Sequence, residues 1–272
     1  MERINFDNYL FRCSGIGGLM AYKEKNELPK GAITVLKEIY KEQRRKRRKE
    51  IKSKYLEKGI NKEEDSVTLW SRVSKRFYKK NDIRVNNFFL TGEPDLYLGE
   101  EIMKAEEIDD IKSSWDALTL PMPEDEINPD YYAQLQGYMA ITGAKRARLV
   151  YCLVNATYEE IEKQRRYLKN DLGLIDETGS QEFIDGCKKI EKNFIYDYQA
   201  FAKEYPGYDF SYTYEEWVAE GLELSKEERV VFYEIERDED YIMLVYKRIK
   251  LCRDYLNKLD EQYCNYFNNR KI

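Results

Sequence analysis

The sequence predicts an α/β fold: a central mixed β-sheet flanked by helices, followed by a helical C-terminal extension. Three observations carry this. Two segments of helical spacing precede three short β-rich segments. A well-capped helix then separates the last of these from an apolar strand, Ala147–Val154. Beyond Thr157 the chain becomes charged, Tyr-rich and helical in pattern. Helices interleaved with short apolar strands bury their faces best as helices packed on a sheet.

Arg12–Met20 reads as a glycine-containing loop entering a short helix with Ser14 as its N-cap. Pro29-Lys30-Gly31 punctuates the chain, and a long helix is expected from about Ala32 to Lys58, closed by Gly59 as its C′ glycine. A second helix is expected over Lys62–Lys79, where Val67, Trp70 and Val73 recur at helical spacing. Ile83–Leu90, Asp95–Leu98 and Ile108–Ser113 read as strands, with a turn at Thr91-Gly92-Glu93-Pro94. Three prolines mark Leu120–Asp130 as a loop. Asn128-Pro129 opens a helix in the favoured order of cap then proline, and Gly143 ends it. Thr157-x-x-Glu160 and Ser225-x-x-Glu228 are capping boxes, so 226–268 is expected to hold one or two long helices. The domain reading is a core over 1–156 and a helical extension over 157–272 that shares or adjoins that core.

Composition narrows the chemistry. The chain has no histidine, which excludes Ser-His-Asp and Cys-His catalysis and His-ligated zinc. The five cysteines, at 13, 152, 187, 252 and 264, form no CxxC pair and read as reduced, small core residues. The net charge of −5 disfavours a passive DNA-coating role, although local patches, not averages, bind phosphate. The polar start, Met1–Asn8, and the absence of a long apolar run predict a soluble protein of the cytoplasm. Nine Lys/Arg fall between Lys41 and Lys54; from Arg44 onward they are either a grip on a duplex backbone or a solvated helix face.

Gly92-Glu93-Pro94-Asp95 followed by Asp110-Ile111-Lys112 suggests chemistry. On a strand, Asp110 and Lys112 point to one side. With Asp95 nearby, a metal would meet two carboxylates and the Ile111 backbone carbonyl, an oxygen set that suits Mg²⁺ or Mn²⁺. Lys112 would activate a water or offset charge on a phosphate. Metal, water nucleophile and charge stabilisation are the parts phosphodiester hydrolysis needs. A hairpin with exposed acids and a surface lysine would show the same spacing. Downstream, Gln134 and Tyr138 lie four apart, on one helix face.

Taken in order, Gly-Glu-Pro-Asp, Asp-Ile-Lys and Ala133-Gln-Leu-Gln-Gly-Tyr-Met139 resemble the PD-(D/E)xK nucleases of the RecB-like and YqaJ-type viral recombinase branch, which includes lambda exonuclease. Asp110 stands where many members have Glu. The resemblance covers roughly residues 11–155 and implies a restriction-endonuclease-like core. It implies that Glu63, with Glu64 as the alternative, joins Asp95, Asp110 and the Ile111 carbonyl around Mg²⁺ or Mn²⁺, and that Lys112 is catalytic. Gln134 would position the scissile phosphate or Lys112, with Gln136 the weaker candidate, and Tyr138 would support the site or DNA. Ser14, with Arg12 substituting for an arginine the family places further upstream, would contact a terminal 5′-phosphate. The implied function is a phage-type 5′→3′ exonuclease on linear double-stranded DNA, leaving a 3′ overhang for recombination. A single-strand annealing protein is the implied partner, and ring oligomers occur in this branch. Two rivals stay open: an endonuclease of the same fold in repair, restriction or CRISPR-type processing, and a catalytically silent DNA-binding protein.

Overall fold

The computed structural model describes residues 1–22, 25–48, 54–174 and 180–269, with 54–61 by backbone alone. The N-terminal stretch forms a two-residue strand, β1 (Phe11–Arg12), and two short 3₁₀ turns over Cys13–Gly15 and Gly17–Leu19. Ser14 therefore sits inside a 3₁₀ turn and caps nothing; Arg12 occupies the N-cap position without a side-chain bond. Helix α1 (Lys30–Arg45) closes at Lys46, which takes a left-handed φ of 51°. Helix α2 (Lys54–Ser74) follows. The single helix expected to Lys58 is thus two, and Gly59 lies inside α2. One glycine costs a helix only about 1 kcal/mol, which packing readily offsets, whereas Arg44 to Arg48 crowd five like charges where α1 stops. Residues 49–53 of the basic run lie outside the described residues.

The expected strand over Ile83–Leu90 is a tight hairpin instead. After β2 (Lys79–Lys80) come β3 (Val85–Asn86) and β4 (Leu90–Gly92). Asn87 turns the chain: its side-chain oxygen accepts from the N–H of Phe89 at 2.8 Å and of Leu90 at 2.9 Å. Such Asx bonding competes with a continuous strand. β1 pairs parallel to β4 and β3 antiparallel to it, making a small sheet in the order β1-β4-β3.

The main sheet contains β5 (Leu96–Leu98), β6 (Glu107–Ser113), β7 (Arg146–Cys152) and β8 (Val230–Glu236), in the order β2-β5-β6-β7-β8. Only β6 and β7 are parallel, and α3 (Pro129–Thr142) connects them. The sequence-predicted ends of α3 hold: Asn128 accepts from the Asp130 N–H at 2.8 Å, and Gly143 takes φ 84°. α3 packs on one face of β6–β7 and α2 on the other.

Helices α4 (Tyr158–Asp171), α5 (Gln181–Phe194), α6 (Tyr198–Glu204) and α7 (Tyr214–Ala219) gather around Phe201, Tyr208, Tyr212 and Trp217. Thr157 caps α4 as a full capping box. The second box does form, Ser225 and Glu228 exchanging bonds of 2.9 and 3.3 Å, but it closes a turn rather than a helix. That turn feeds β8, where a helix was expected; the β-branched and aromatic run Val230-Val-Phe-Tyr233 carries the strand preference that the capping box masked. Only then does α8 (Glu239–Asn268) begin. Among the described residues no helix is long and apolar enough to cross a membrane.

α8 ties the N-terminus down. Arg253 donates to the carbonyls of Tyr9 and Phe88, and Asp260 accepts from the Ile4 N–H at 2.9 Å and the Tyr40 hydroxyl at 2.9 Å. Arg44 also bonds Asp260, so this member of the basic run serves the core. Gly92 sits in tight packing between layers: a Cβ there would lie 2.6 Å from the Tyr138 ring and 3.0 Å from Cys13 Sγ. Gly92→Ala should therefore destabilise the protein by about 1–3 kcal/mol, read as a lower denaturant midpoint; an unchanged midpoint would show that this junction yields.

Candidate active site

The site forms where the β5–β6 ladder ends. The last cross-strand pair is Leu96 with Asp109. One residue before β5, Asp95 takes over the edge of β6, accepting the Ile111 N–H through Oδ2 at 2.7 Å. In an extended strand the N–H and C=O of one residue point to the same edge, so the Ile111 carbonyl faces the side on which Asp95 lies. Asn81 holds the Pro94–Asp95 corner, donating to the Pro94 carbonyl at 3.0 Å and, through its N–H, to the Asp95 carbonyl at 2.9 Å.

Asp110 and Lys112 share the face of β6 turned toward α3. Asp110 Oδ1 accepts from Gln134 Nε2 at 2.9 Å, and the same amide donates to the Tyr138 hydroxyl at 3.0 Å. Asp110 Oδ2 is buried and meets the Lys112 ammonium in an ion contact at 2.5 Å. The expected grouping of Asp95, Asp110, Lys112, Gln134 and Tyr138 thus occurs on three elements. Gln136 is not among them. It points to the other side of α3, fully buried, donating to the Glu236 carbonyl at 2.8 Å and accepting the Asp238 N–H at 2.9 Å, so its amide joins α3 to the β8–α8 corner and cannot reach DNA.

A cleft of about 400 Å³ opens beside this cluster, lined by Arg12, Ser14, Glu63, Arg84, Asp95 and Tyr138 among others. The parallel pairing of Arg12 with Thr91 brings the N-terminal residues here. Glu63 reaches the cleft but is paired with Lys80 Nζ at 2.9 Å, and Glu64 binds the same ammonium. Lys80, Asn81 and Arg84 are site residues that the sequence reading missed; the run Lys79-Lys80 before a candidate strand was their only signal. Tyr131 is another, its ring centroid 5.3 Å from Lys112 Nζ.

Burial and the neighbouring Asp110 carboxylate, with Glu63 adding to them, push Asp95 from its ordinary 3.8 up to about 7, against the opposing pull of Lys112 and the Ile111 N–H. Burial alone would lower the Lys112 pKa, but Asp110 and Asp95 outweigh it and hold the amine protonated. Burial, then the two aspartates, raises Tyr138 and keeps it a neutral phenol. A divalent cation fits the chemistry of these residues: two crowded carboxylates, with Lys112 between them, and a carbonyl make a hard, all-oxygen set. Among the described residues, no group of three Asp, Glu, His or Cys side chains is placed to hold a metal ion, Glu63 being turned to Lys80.

The raised Asp95 pKa has a pH consequence. The unfolded carboxyl ionises near 4 and the folded one near 7, so the stability contributed by this group is complete below about 4 and is lost as pH rises to 7. In EDTA, Asp95→Asn should melt with wild type near pH 4 and above it at pH 8. Parallel melting curves at both pH values would refute the shift.

No family model and no curated protein matches the chain. Solved structures do. A phage-related exonuclease from Haemophilus somnus 129PT superimposes with a TM-score of 0.65 at 21% identity, covering 96% of this chain and 97% of that one. An alkaline exonuclease from Laribacter hongkongensis gives a TM-score of 0.55 at 11% identity, covering 96% and 95%. Its structure in complex with dAMP gives 0.55 at 12%, with the same coverage. Over nearly its whole length, the chain has the fold of these exonucleases.

Proposed function

We propose that the chain is a Mg²⁺- or Mn²⁺-dependent deoxyribonuclease, a phage-type 5′→3′ exonuclease acting on linear double-stranded DNA. The observation that carries this reading is the meeting of the Asp95–Asp110–Lys112–Gln134 cluster with a cleft bearing Arg12 and Ser14. The exonuclease fold of its neighbours supports it, as does the binding of a nucleoside monophosphate by one of them.

In this mechanism Asp95, Asp110 and the Ile111 carbonyl hold the cation, with Glu63 as the further acid once it leaves Lys80. The bound cation supplies an acidified water and a Lewis acid for the phosphate. Gln134 fixes Asp110 through Oδ1, while Oδ2, now on the Lys112 ammonium, would turn to the cation. The Lys112 ammonium stabilises charge gathering on the phosphate or orients the water. Tyr138 holds Gln134 from behind. Arg12 and Ser14 receive a terminal 5′-phosphate, which would select ends over internal positions. The product's 3′ overhang would pass to a single-strand annealing partner in the host cytoplasm, and a ring oligomer would keep the enzyme on its duplex.

The pairing of Glu63 with Lys80 rather than with the aspartates favours a second reading, a silent DNA-binding protein of this fold. One assay separates the two. Incubated with end-labelled linear duplex and Mg²⁺ or Mn²⁺, the wild type should shorten DNA from its 5′ ends. EDTA should abolish cutting, and Lys112→Ala should slow it by about 10²-fold or more while binding persists. Cutting of closed circles would indicate an endonuclease; no cutting of any DNA would leave the binding reading. Arg12→Ala should slow degradation of 5′-phosphorylated ends more than of 5′-hydroxyl ends, and equal loss on both would remove Arg12 from end recognition.

A further inference from the structure

Lys112 has a second neighbour besides Asp110. Its ammonium lies over the face of Tyr131, at 5.3 Å from the ring centroid. Tyr131 is in the first turn of α3, three residues before Gln134, so α3 presents both to β6. The ring is itself backed. It meets Tyr151 edge-on at 6.3 Å and 76°, and Tyr151 is the in-register partner of Lys112 on β7. Tyr151 in turn meets Tyr233 of β8 at 6.2 Å and 86°, and the Tyr233 hydroxyl donates to the Met122 carbonyl at 3.2 Å in the loop after β6. Three rings on three elements thus form a wall against which the Lys112 side chain rests.

The two contacts of Lys112 differ in kind. Asp110 attracts the ammonium by charge, and in the nuclease reading a cation competes for that same carboxylate. An aromatic face attracts an ammonium through its quadrupole. It takes up no lone-pair hydrogen bond and competes for no metal. We infer that Tyr131 is a positioning residue for Lys112: its ring keeps the ammonium in the site when Asp110 is engaged elsewhere, and leaves the N–H donors unspent. This rests on the nuclease reading for its catalytic meaning, but the contact itself does not.

The test is carried out on full-length protein labelled with [ε-¹³C]lysine, the Lys112 signal being assigned by its loss in Lys112→Arg. The ring should shift the Lys112 ε-protons upfield of the exposed lysines, with and without Mg²⁺. Tyr131→Phe should keep that shift, and Tyr131→Leu should abolish it while melting near wild type. A Lys112 signal at the exposed-lysine position in wild type, or one unmoved in Tyr131→Leu, overturns the inference. In DNA cleavage, Tyr131→Leu should lower kcat roughly tenfold with KM unchanged, and Tyr131→Phe should restore it. A raised KM with kcat intact would instead make Tyr131 a DNA contact and also overturn it. If the wild type cuts no DNA, the nuclease reading fails, and the lysine spectrum alone still decides whether Tyr131 holds Lys112.

Discussion

The central strand β6 carries charge on both faces, and most of the fold serves to satisfy it. Glu107, Asp109 and Asp110 are each no more than 2% exposed. A buried, uncompensated carboxylate is among the costliest things a core can contain. On the α2 face, Arg148 forks onto Glu107 and reaches Glu234, while Trp70 donates to Asp109 at 2.6 Å. On the α3 face, Asp110 has Gln134 and Lys112. Arg76 and Arg146 also reach Glu107, so the α2 face sets three cations against its three carboxylates. On the α3 face Lys112 meets two crowded carboxyls, Asp110 and the edge residue Asp95, and that crowding marks this face as the candidate site.

The same alternation explains what was legible in the sequence. Asp110 and Lys112 two apart on a strand, and Gln134 and Tyr138 four apart on a helix, depend only on local periodicity, which one sequence displays. The ends of α3 follow from Asn128, Pro129 and Gly143. Gln136 could not be separated from Gln134 by composition; only the placement of α3 between β6 and the β8–α8 corner turns them to opposite sides. β8 was hidden because a capping box serves a turn as well as a helix. Arg84, Lys80 and Tyr131 are ordinary surface-type residues until distant segments converge on them, and no short-range pattern encodes that convergence.

The long-range pairings also account for the division of labour between the two sheets. The small sheet, β1-β4-β3, brings Arg12 and Ser14 beside Asp95, whereas the main sheet holds Asp110 and Lys112. Cys13, Gly92, Gly137 and Tyr138 meet at the seam, with Gly137 and Gly92 both admitting Cys13 at distances that a methyl group would close. Residues read as end-recognising and residues read as hydrolytic therefore sit on separate sheets held at a fixed spacing.

The hold of α8 on residues 4–9 closes nearly the whole described chain into one loop. Arg253 grips the backbone at Tyr9 and Phe88, Asn257 the Phe6 N–H at 2.9 Å, and Asp260 the Ile4 N–H. Residues 4–9 thus depend on α8, more than 240 residues on, for the support of the wall carrying Arg12 and Ser14. The backbone bonds of that wall can be complete only once α8 has docked.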